Sequence, residues 1–467
     1  MPRRQTPEMS TRRRESEFGA PAGVPHGIWN ETPRARSPSA VPFLDLVFGV
    51  ATMLILCGGV MDLLLLSPGS GAVSAGSPAQ QVTLLSLTGF CILLLAMQGL
   101  TRVDRASIWR AWPMLLLVGW CALSVIWSTE PGLSLRRTIG LVCSLIPILY
   151  LTLRYTPRQL LTMIEYVAWC FVIITLVSIV LGTGVERGGS WDGAWKGLTG
   201  QKNQFGRFAA CFILVIAGTI FSGHLRVTLR RVALLTTLLV MLVLSQSQTP
   251  LVAFITCLIA LPVMLVVLRG GLGGIRFSSG VRTTLALTIP LVCAYVAFQV
   301  VPFIVVEVLG KDLTFSGRIN IWEYAFLFTE DRPWLGAGYR TFWVGDVASR
   351  YFDYFSWKED IGEGALDHSH SSYVDTYDEL GLIGVGMLCL LLISSLRPAP
   401  KRTQPIYDVA QTMTILITTM LLINAFTERV VLQYLDPVWG MFSLAYFSLA
   451  AAEARGAIAE QSSQDFR

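Results

Sequence analysis

The stretch D-H-S-H-S-S-Y-V-D-T-Y-D-E-L-G-L-I-G, residues 367–384, joins a long polar segment to an apolar run in a chain that is mostly apolar. Such a change from polar to apolar residues is typical of a helix that enters a membrane. The chain has four histidines, and two of them, His368 and His370, stand in this stretch. Because histidine exchanges protons near neutral pH, the pair is a candidate for acid–base chemistry; the alternative is a solvated loop.

The composition indicates a polytopic membrane protein. Of the 467 residues, 53% are hydrophobic and 14% are charged, whereas soluble domains carry about 25% charged residues. All nine cysteines lie in apolar runs and form no CxxC pair, which indicates buried apolar side chains rather than a redox or zinc framework. The basic residues are dispersed without interleaved aromatics, which argues against a nucleic-acid partner.

Apolar runs of bilayer-spanning length recur from residue 41 onward and predict an all-α fold with about twelve transmembrane helices. The predicted domains are a disordered basic cytoplasmic tail (1–40), transmembrane helices 1–9 (41–306), a periplasmic loop domain (307–376), transmembrane helices 10–12 (377–453) and a cytoplasmic tail (454–467). We expect no cleaved signal peptide. The predicted spans are residues 41–66, 84–100, 111–127, 138–153, 161–181, 205–221, 232–244, 251–268, 283–306, 377–396, 409–426 and 438–452.

The distribution of Lys and Arg predicts the orientation, because short cytoplasmic loops carry an excess of positive charge. With the N-terminal tail inside, five arginine-containing loops fall in the cytoplasm, whereas the opposite loop, 67–81, carries no charge. Twelve helices then place both termini in the cytoplasm. Two outer segments, 128–137 and 182–207, are nevertheless cationic. An anionic ligand at the outer face would explain this charge; plain solvated loops are the alternative.

The outer segment 307–376 is too long and too polar for a simple turn. Within it, F-S-G-R-I-N-I-W-E-Y-A (315–325) predicts a short amphipathic helix, in which Trp322 and Glu323 would pack and orient the loop. P-W-L-G-A-G-Y (333–339) predicts a glycine-rich turn. The aromatic residues at 351–357 suit either the bilayer interface or a sugar-stacking surface.

Four motifs in this order resemble the O-antigen ligase and O-antigen/exopolysaccharide polymerase superfamily. They are K-N-x-x-G within G-Q-K-N-Q-F-G (200–206), G-R-x-x-I-W (317–322), P-x-L-G-x-G (333–338), and H-x-x-Y (370–373) followed by E-L-G-L-I-G (379–384). Each motif alone is weakly specific, and the order together with the long preceding loop carries the resemblance. It covers residues 127–384.

The resemblance implies a GT-C-like integral membrane glycosyltransferase of the bacterial inner membrane, with its active site facing the periplasm. Such an enzyme transfers a glycan from undecaprenyl diphosphate to an acceptor glycolipid and is expected to need no nucleotide sugar, ATP or metal. A polymerase uses another lipid-linked repeat unit as acceptor, and a ligase uses lipid A–core. Membrane lipid and a chain-length-regulating co-polymerase are further implied partners.

The same chemistry follows from the residue types. Loss of a diphosphate from an anomeric carbon requires positive charge, which arginine supplies bidentately, and the acceptor hydroxyl requires a base, which neutral histidine supplies. His370 matches the family's histidine and is the predicted base, and Arg318 is the predicted diphosphate ligand; a charge on a helix surface is the alternative for Arg318. Ser371 replaces the family's usual Asn. His368 is a helper or a spectator, and a metal site formed by His368, His370 and Asp367 is the rival hypothesis.

The remaining candidates are substrate-binding residues. Lys202 and Asn203 match the K-N pair, although a lysine that snorkels to the headgroups would look the same. One of Arg136 and Arg137, in a segment that resembles the family's early outer loop, is expected to reach the pocket. Gln248 stands where relatives have an arginine, and Arg207 would replace that arginine. Asp375 and Glu379 share a helix face, and they position His370, bind acceptor hydroxyls or simply complement the helix dipole.

The preferred interpretation is a polysaccharide polymerase, because the glutamine-containing turn and the K-N motif resemble polymerases more closely. An O-antigen ligase is the first alternative. A lipid-linked oligosaccharide or polysaccharide transporter is an alternative of another class, although few charges fall within the apolar runs and no repeat is visible. A non-catalytic assembly subunit would not need His370 or Arg318.

Overall fold

The computed structural model describes residues 41–57, 78–187, 192–197, 199–269, 278–303, 316–344, 368–397 and 405–465. The predicted N-terminal tail, the aromatic stretch 351–357 and Asp367 lie outside these residues. The α-helices of the described residues are α1 (Phe43–Leu56), α2 (Pro78–Gln98), α3 (Arg102–Arg110), α4 (Trp112–Leu123), α5 (Pro131–Arg154), α6 (Pro157–Val180), α7 (Lys202–Phe221), α8 (Leu229–Leu244), α9 (Gln248–Arg269), α10 (Ser279–Phe303), α11 (Ser316–Thr329), α12 (Ser372–Ser395), α13 (Pro405–Asn424) and α14 (Pro437–Asp465).

Local sequence signals explain where several helices begin. Proline occupies the first turn of α5 and of α6, where its missing N–H has no intrahelical partner to lose. Thr101 and Thr156 precede α3 and α6 and form capping boxes with Asp104 and Gln159. The short-range sequence is therefore enough to explain where these helices begin.

The all-helical architecture of a polytopic membrane protein is confirmed for the described residues. Each of the twelve predicted spans overlaps one of the helices, although residues 58–66 and 304–306 of two of the spans lie outside the described residues. By length and composition, seven helices could cross a membrane, or eight if α3 and α4, which meet at 64°, are one broken span. The 16 residues of α8 extend only about 24 Å, and Glu453 and Arg455 interrupt the apolar character of α14.

Helix α7 lies at the centre of the bundle. Its most apolar window is 72% buried, whereas the corresponding windows of α2 and α10 are 17% buried. Helix α7 contacts α8, α9 and α13, and its Gly218 lies so close to Leu416 that a Cβ would be 2.4 Å from that side chain. The helix that begins with the K-N motif is therefore the most buried of the seven candidate spans.

Helix α12 is broken at Gly381, where φ is +68°. A Cβ at this position would lie 2.2 Å from the backbone carbonyl of Trp334, so the break requires glycine. The turn at 333–338 inserts here: Leu382 N donates to Pro333 O at 2.8 Å, and Gly338 N donates to Glu379 O at 2.8 Å. The carbonyl of Leu380 accepts from Trp120 Nε1 at 3.2 Å. The glycine-rich turn and the E-L-G-L-I-G motif therefore form one structure.

The predicted cytoplasmic loops meet at the other end of the bundle. There Glu165, which is 1% exposed, pairs with Arg230 and with Arg231. His224 Nε2 lies 3.7 Å from Asp408 Oδ2 at the same end. The predicted outer and inner segments thus separate to opposite ends of the described helices.

Candidate active site

The predicted outer segments gather at one end of the bundle, which we call the site end. The backbone N–H of Thr129 donates to Ala337 O at 2.9 Å, which joins the segment before α5 to the glycine-rich turn. Trp195 N donates to Leu244 O at 2.9 Å and joins the segment before α7 to the end of α8. Tyr339 Oη donates to the carbonyl of Leu432, in the connection between α13 and α14. Residues far apart in sequence therefore surround one region.

A tight turn ahead of α12 presents the two histidines. His370 has a φ of +56°, a left-handed conformation that a residue with a side chain rarely adopts. This turn brings the ring centroids of His368 and His370 to 4.2 Å. Ser369 between them holds the turn: its N–H donates to Asp375 Oδ1 at 2.8 Å, and its carbonyl accepts from Trp322 Nε1 at 2.9 Å. These contacts are of the kind that a positioning role for Asp375 and Trp322 requires, and the role itself stays a prediction.

The environment of His370 keeps its imidazole neutral. Burial and the neighbouring His368 lower the pKa of His370 from 6.5 to about 4, with Glu428 opposing and Arg318 reinforcing the change. Its Nδ1 is buried and has no hydrogen-bond partner among the described residues. A neutral imidazole with an uncommitted buried nitrogen has the properties that a general base needs.

Two arginines from different helices meet at Glu428. Arg318 Nη2, from α11, lies 3.9 Å from Glu428 Oε1. Arg207 Nη1, from α7, lies 3.4 Å from Glu428 Oε2, and Arg207 Nη2 lies 3.3 Å from Asp436 Oδ2. Burial lowers the pKa of Arg318, with Glu428 opposing, and burial raises the pKa of Asp436, with Arg207 opposing. The guanidinium groups predicted to contact phosphate are thus paired with carboxylates.

A second charged cluster lies beneath the glycine-rich turn. Arg429 donates to Glu379 and lies 3.9 Å from Asp375 Oδ2. Burial alone lowers the pKa of Arg429, but Glu379 and Asp375 raise it above its ordinary value. Arg137 is buried and donates to the carbonyl of Arg340. Glu379 is therefore tied to an arginine.

The other predicted substrate-binding residues lie at the rim of the site end. Ser247 Oγ donates to Asn203 Oδ1 at 2.6 Å, and Lys202 Nζ donates to Gln246 O at 3.5 Å, which joins the start of α7 to the turn between α8 and α9. Gln248 begins α9 and is exposed. Of the two neighbouring arginines, Arg136 is exposed and Arg137 is buried.

His368, His370 and Glu428 could also hold a metal ion, because their ligand atoms lie within 4.8 Å of one another. Two imidazoles and a carboxylate suit zinc. Both oxygens of Glu428, however, already lie within 4 Å of an arginine, so a divalent cation would meet two positive charges. The donor types fit a metal, and the surrounding charge opposes it.

Two comparisons with known proteins show what this chain resembles. A family model described as O-antigen ligase matches residues 232–389, which include Arg318 and His370. The exopolysaccharide production protein ExoQ of Rhizobium meliloti (strain 1021) is 25% identical over 317 residues, which cover 66% of this chain and 69% of that protein. The resemblance to the O-antigen ligase and polymerase superfamily is confirmed. Both comparisons support a cell-surface polysaccharide function of the ligase or polymerase type.

The residues between α13 and α14 were missed by the sequence analysis, although they pair with residues of the candidate site. Glu428, Arg429 and Asp436 all come from this connection and pair with residues at least 50 positions away. The matched region of the O-antigen ligase model ends at residue 389, before this connection. The available signal was the Glu-Arg pair directly after an apolar run, on the same predicted outer face as the histidines.

Proposed function

We propose that the protein is a polysaccharide polymerase that transfers an undecaprenyl-diphosphate-linked glycan to the acceptor sugar of another lipid-linked repeat unit. The observation that carries this proposal is the convergence of a neutral, half-buried histidine and two arginines around Glu428 at one end of a helical membrane protein. These are a base and positive charge, the two components that displacement of a diphosphate requires. The preference for a polymerase rests on the glutamine-containing turn and the K-N motif, and the likeness to an exopolysaccharide production protein is compatible with it.

In the proposed reaction, the acceptor hydroxyl oxygen bonds to the anomeric carbon while the bond from that carbon to the diphosphate oxygen breaks. The hydroxyl proton passes to the imidazole of His370. The diphosphate keeps the electron pair of the broken bond, and its new negative charge is stabilised by Arg318 and Arg207. The proposed reaction uses no nucleotide, metal or other cofactor.

The remaining candidates have supporting roles in the proposal. Lys202 and Asn203 at the start of α7 bind the outer phosphate and the first sugar, with Gln248 beside them at the start of α9. Arg137 contributes positive potential from beneath, and Arg136 contacts substrate at the surface. Asp375 positions the histidine turn, as its bond to Ser369 suggests, and Glu379 holds Arg429. His368 keeps the pKa of His370 low.

We further propose twelve transmembrane helices, both termini in the cytoplasm of a bacterium, and a site end that faces the periplasm across the inner membrane. In this arrangement, the predicted periplasmic loop domain, of which residues 307–315 and 345–367 lie outside the described residues, acts as the lid over the lipid-linked glycan. The segregation of the predicted inner and outer segments supports this topology. Cysteine accessibility tests it: a cysteine introduced at exposed Arg136 should react with an impermeant thiol reagent from outside, and one at exposed Arg158 should react only after permeabilisation.

A ligase is the second candidate, since the matching family model is described as O-antigen ligase. The two functions differ only in the acceptor. Purified protein in detergent would receive undecaprenyl-diphosphate-linked repeat units in the presence of a chelator and without nucleotide. A ladder of products that His370→Ala and Arg318→Ala both abolish supports a polymerase.

Other outcomes of the same assay assign the protein differently. Addition of a single glycan only when lipid A–core is supplied identifies a ligase. A product that forms only when zinc is restored contradicts the metal-free reaction. No product with any acceptor, together with movement of lipid-linked glycan across a vesicle membrane, identifies a transporter.

A further inference from the structure

Glu428 is the one residue of the candidate site within reach of both arginines and both histidines, among the residues that the structure describes. Its two carboxylate oxygens lie 3.4 Å from Arg207 and 3.9 Å from Arg318. One of its oxygens is also within 4.8 Å of a ring nitrogen of His368 and of His370. Its side chain is 9% exposed.

The backbone of Glu428 is fixed, so that only its side chain is free to change partners. The carbonyl accepts from Ser372 Oγ at 2.8 Å, and the N–H donates to Asn424 O at 2.9 Å. The same Ser372 Oγ accepts from the N–H groups of Val430 and Val431. These bonds tie Glu428 to the first residue of α12, two residues beyond His370.

The two contacts of Glu428 with arginine differ in strength. Oε2 makes a hydrogen bond with Arg207, which also pairs with Asp436. Oε1 is buried without a hydrogen-bond partner among the described residues, and its 3.9 Å approach to Arg318 is an ion pair only. An unsatisfied buried carboxylate oxygen is unfavourable, so the contact with Arg318 is the one that an incoming anion replaces most easily.

Charge balance gives the exchange a driving force. In the empty site, two arginines (Arg207 and Arg318) face two carboxylates (Glu428 and Asp436) beside two histidines. A diphosphate at Arg318 adds negative charge next to Glu428, and like charges in a buried site repel strongly. A positively charged His370 beside Glu428 would relieve this repulsion.

We propose that Glu428 is a positioning residue that couples donor binding to the base. In the empty site its carboxylate occupies Arg318, and the diphosphate displaces it toward the imidazole of His370. The inference rests on the proposed function. It predicts that His370 is a weak base until the donor is bound and a stronger base afterwards, so that the acceptor hydroxyl loses its proton only when a leaving group is in place.

The test is a pH titration of the histidine ring signals by NMR in full-length protein labelled with ¹³C at histidine Cε1. The chain has only four histidines, and His370→Ala assigns the relevant signal. The titration is run with and without inorganic pyrophosphate, whose binding is followed separately by ³¹P NMR. The readout does not depend on glycan transfer.

Bound pyrophosphate is expected to raise the pKa of His370 in the wild type by about one or more, the effect of a carboxylate brought close to a histidine. Glu428→Gln should abolish this increase, and Glu428→Asp should restore part of it. Asp436→Asn is the matched control, because it removes the other carboxylate from Arg207, and the increase should persist. If Glu428→Gln does not fold, the comparison of Glu428→Asp with Asp436→Asn decides the question.

An equal increase in Glu428→Gln, or no increase in wild type that binds pyrophosphate, overturns the inference. If the protein transfers glycan but the pKa of His370 does not change with bound pyrophosphate, the proposed function stands and the coupling is wrong. If the pKa of His370 rises with pyrophosphate as expected but the protein transfers no glycan, only the proposed function is wrong. Failure to bind pyrophosphate would contradict both the coupling and the assignment of Arg318.

Discussion

The backbone carbonyl of Trp334 occupies the space in which a side chain at Gly381 would lie. The two residues are 47 positions apart and belong to different motifs. The break in α12 exists because these two motifs meet. Gly381→Ala would require the turn at 333–338 to move, and the positive φ of Gly381 adds strain for any other residue. We expect a loss of about 2–4 kcal/mol in the free energy of unfolding.

Thermal unfolding of the detergent-solubilised variant measures this effect. Gly386→Ala, in the same helix with open space around its Cβ position, is the control and should be neutral or slightly stabilising. Equal melting temperatures for Gly381→Ala and the wild type would contradict the described break.

The pH dependence of transfer should report the neutral His370. Because its pKa in the folded, empty protein is about 4, kcat/KM should stay level down to about pH 5 and fall as pH decreases through about 4. The sign for stability follows from the same pKa. The unfolded chain binds this proton near pH 6.5 and the folded chain only near 4, so folding stability is lost as pH falls below 6.5, by at most about 3 kcal/mol.

His370→Ala should abolish the loss of folding stability that protonation of His370 causes as pH falls below 6.5. A variant that still loses the same stability between pH 6.5 and 4 would assign the effect to other groups. A kcat/KM that falls already near pH 6.5 would contradict a base with a lowered pKa.

Arg318 should act in the transition state through the geometry of its guanidinium group. Arg318→Ala is expected to lower kcat by about 10²–10³-fold, the usual cost of losing one preorganised donor to a developing negative charge. Arg318→Lys keeps the charge and loses the bidentate fork, so it should remain well below wild type. Arg158→Ala removes an exposed arginine at the other end and should leave kcat within about twofold. Full activity of Arg318→Lys would show that only charge matters.

Trp322 should affect the rate through the histidine turn. Trp322→Phe removes the bond from its indole N–H to the carbonyl of Ser369 and retains most of the aromatic packing against Phe426. The variant should lose about 1 kcal/mol of stability. Its kcat should fall while KM for the donor stays unchanged, since phosphate contacts are intact. A change in KM alone would instead place Trp322 in substrate binding.

The two kinds of ion pair at the ends of the bundle should differ in strength. Glu165 is almost fully buried between Arg230 and Arg231. Glu165→Gln leaves the two arginines without their carboxylate and should lower the free energy of unfolding by about 2–4 kcal/mol. The loss is moderated because Arg230 is half exposed. Glu186 pairs with Lys196 in a far more accessible place, and Glu186→Gln should cost about 0–1 kcal/mol. Chemical denaturation of both variants gives the comparison, and equal costs would contradict it.

The sequence predicted the parts of the molecule that short-range patterns determine. The apolar runs overlap helices, and residues 316–325 of the segment predicted as a short helix lie in α11 (Ser316–Thr329). Arg318 and His370 were predicted to act together and do meet at a common residue. The roles assigned to them stay predictions.

What the sequence did not predict depends on long-range contacts. The motif at 379–384 looks like uninterrupted apolar helix, because the break at Gly381 is caused by a turn that lies earlier in the chain. Glu428 stands in a short connection of ordinary composition, and its pairing with Arg207 spans 221 positions. Arg207 was predicted as a free phosphate contact, whereas two carboxylates surround it in the fold.

The break at Gly381 divides α12 into two parts that have different sequence requirements. The part before the break carries Asp375 and Glu379 and is bonded to the glycine-rich turn, so its sequence is constrained residue by residue. The part after it, from Leu382 to Ser395, is an apolar cylinder whose requirement is hydrophobicity and length. Changes in the length or the apolar sequence of the second part are therefore expected to leave the chemistry above it unaltered.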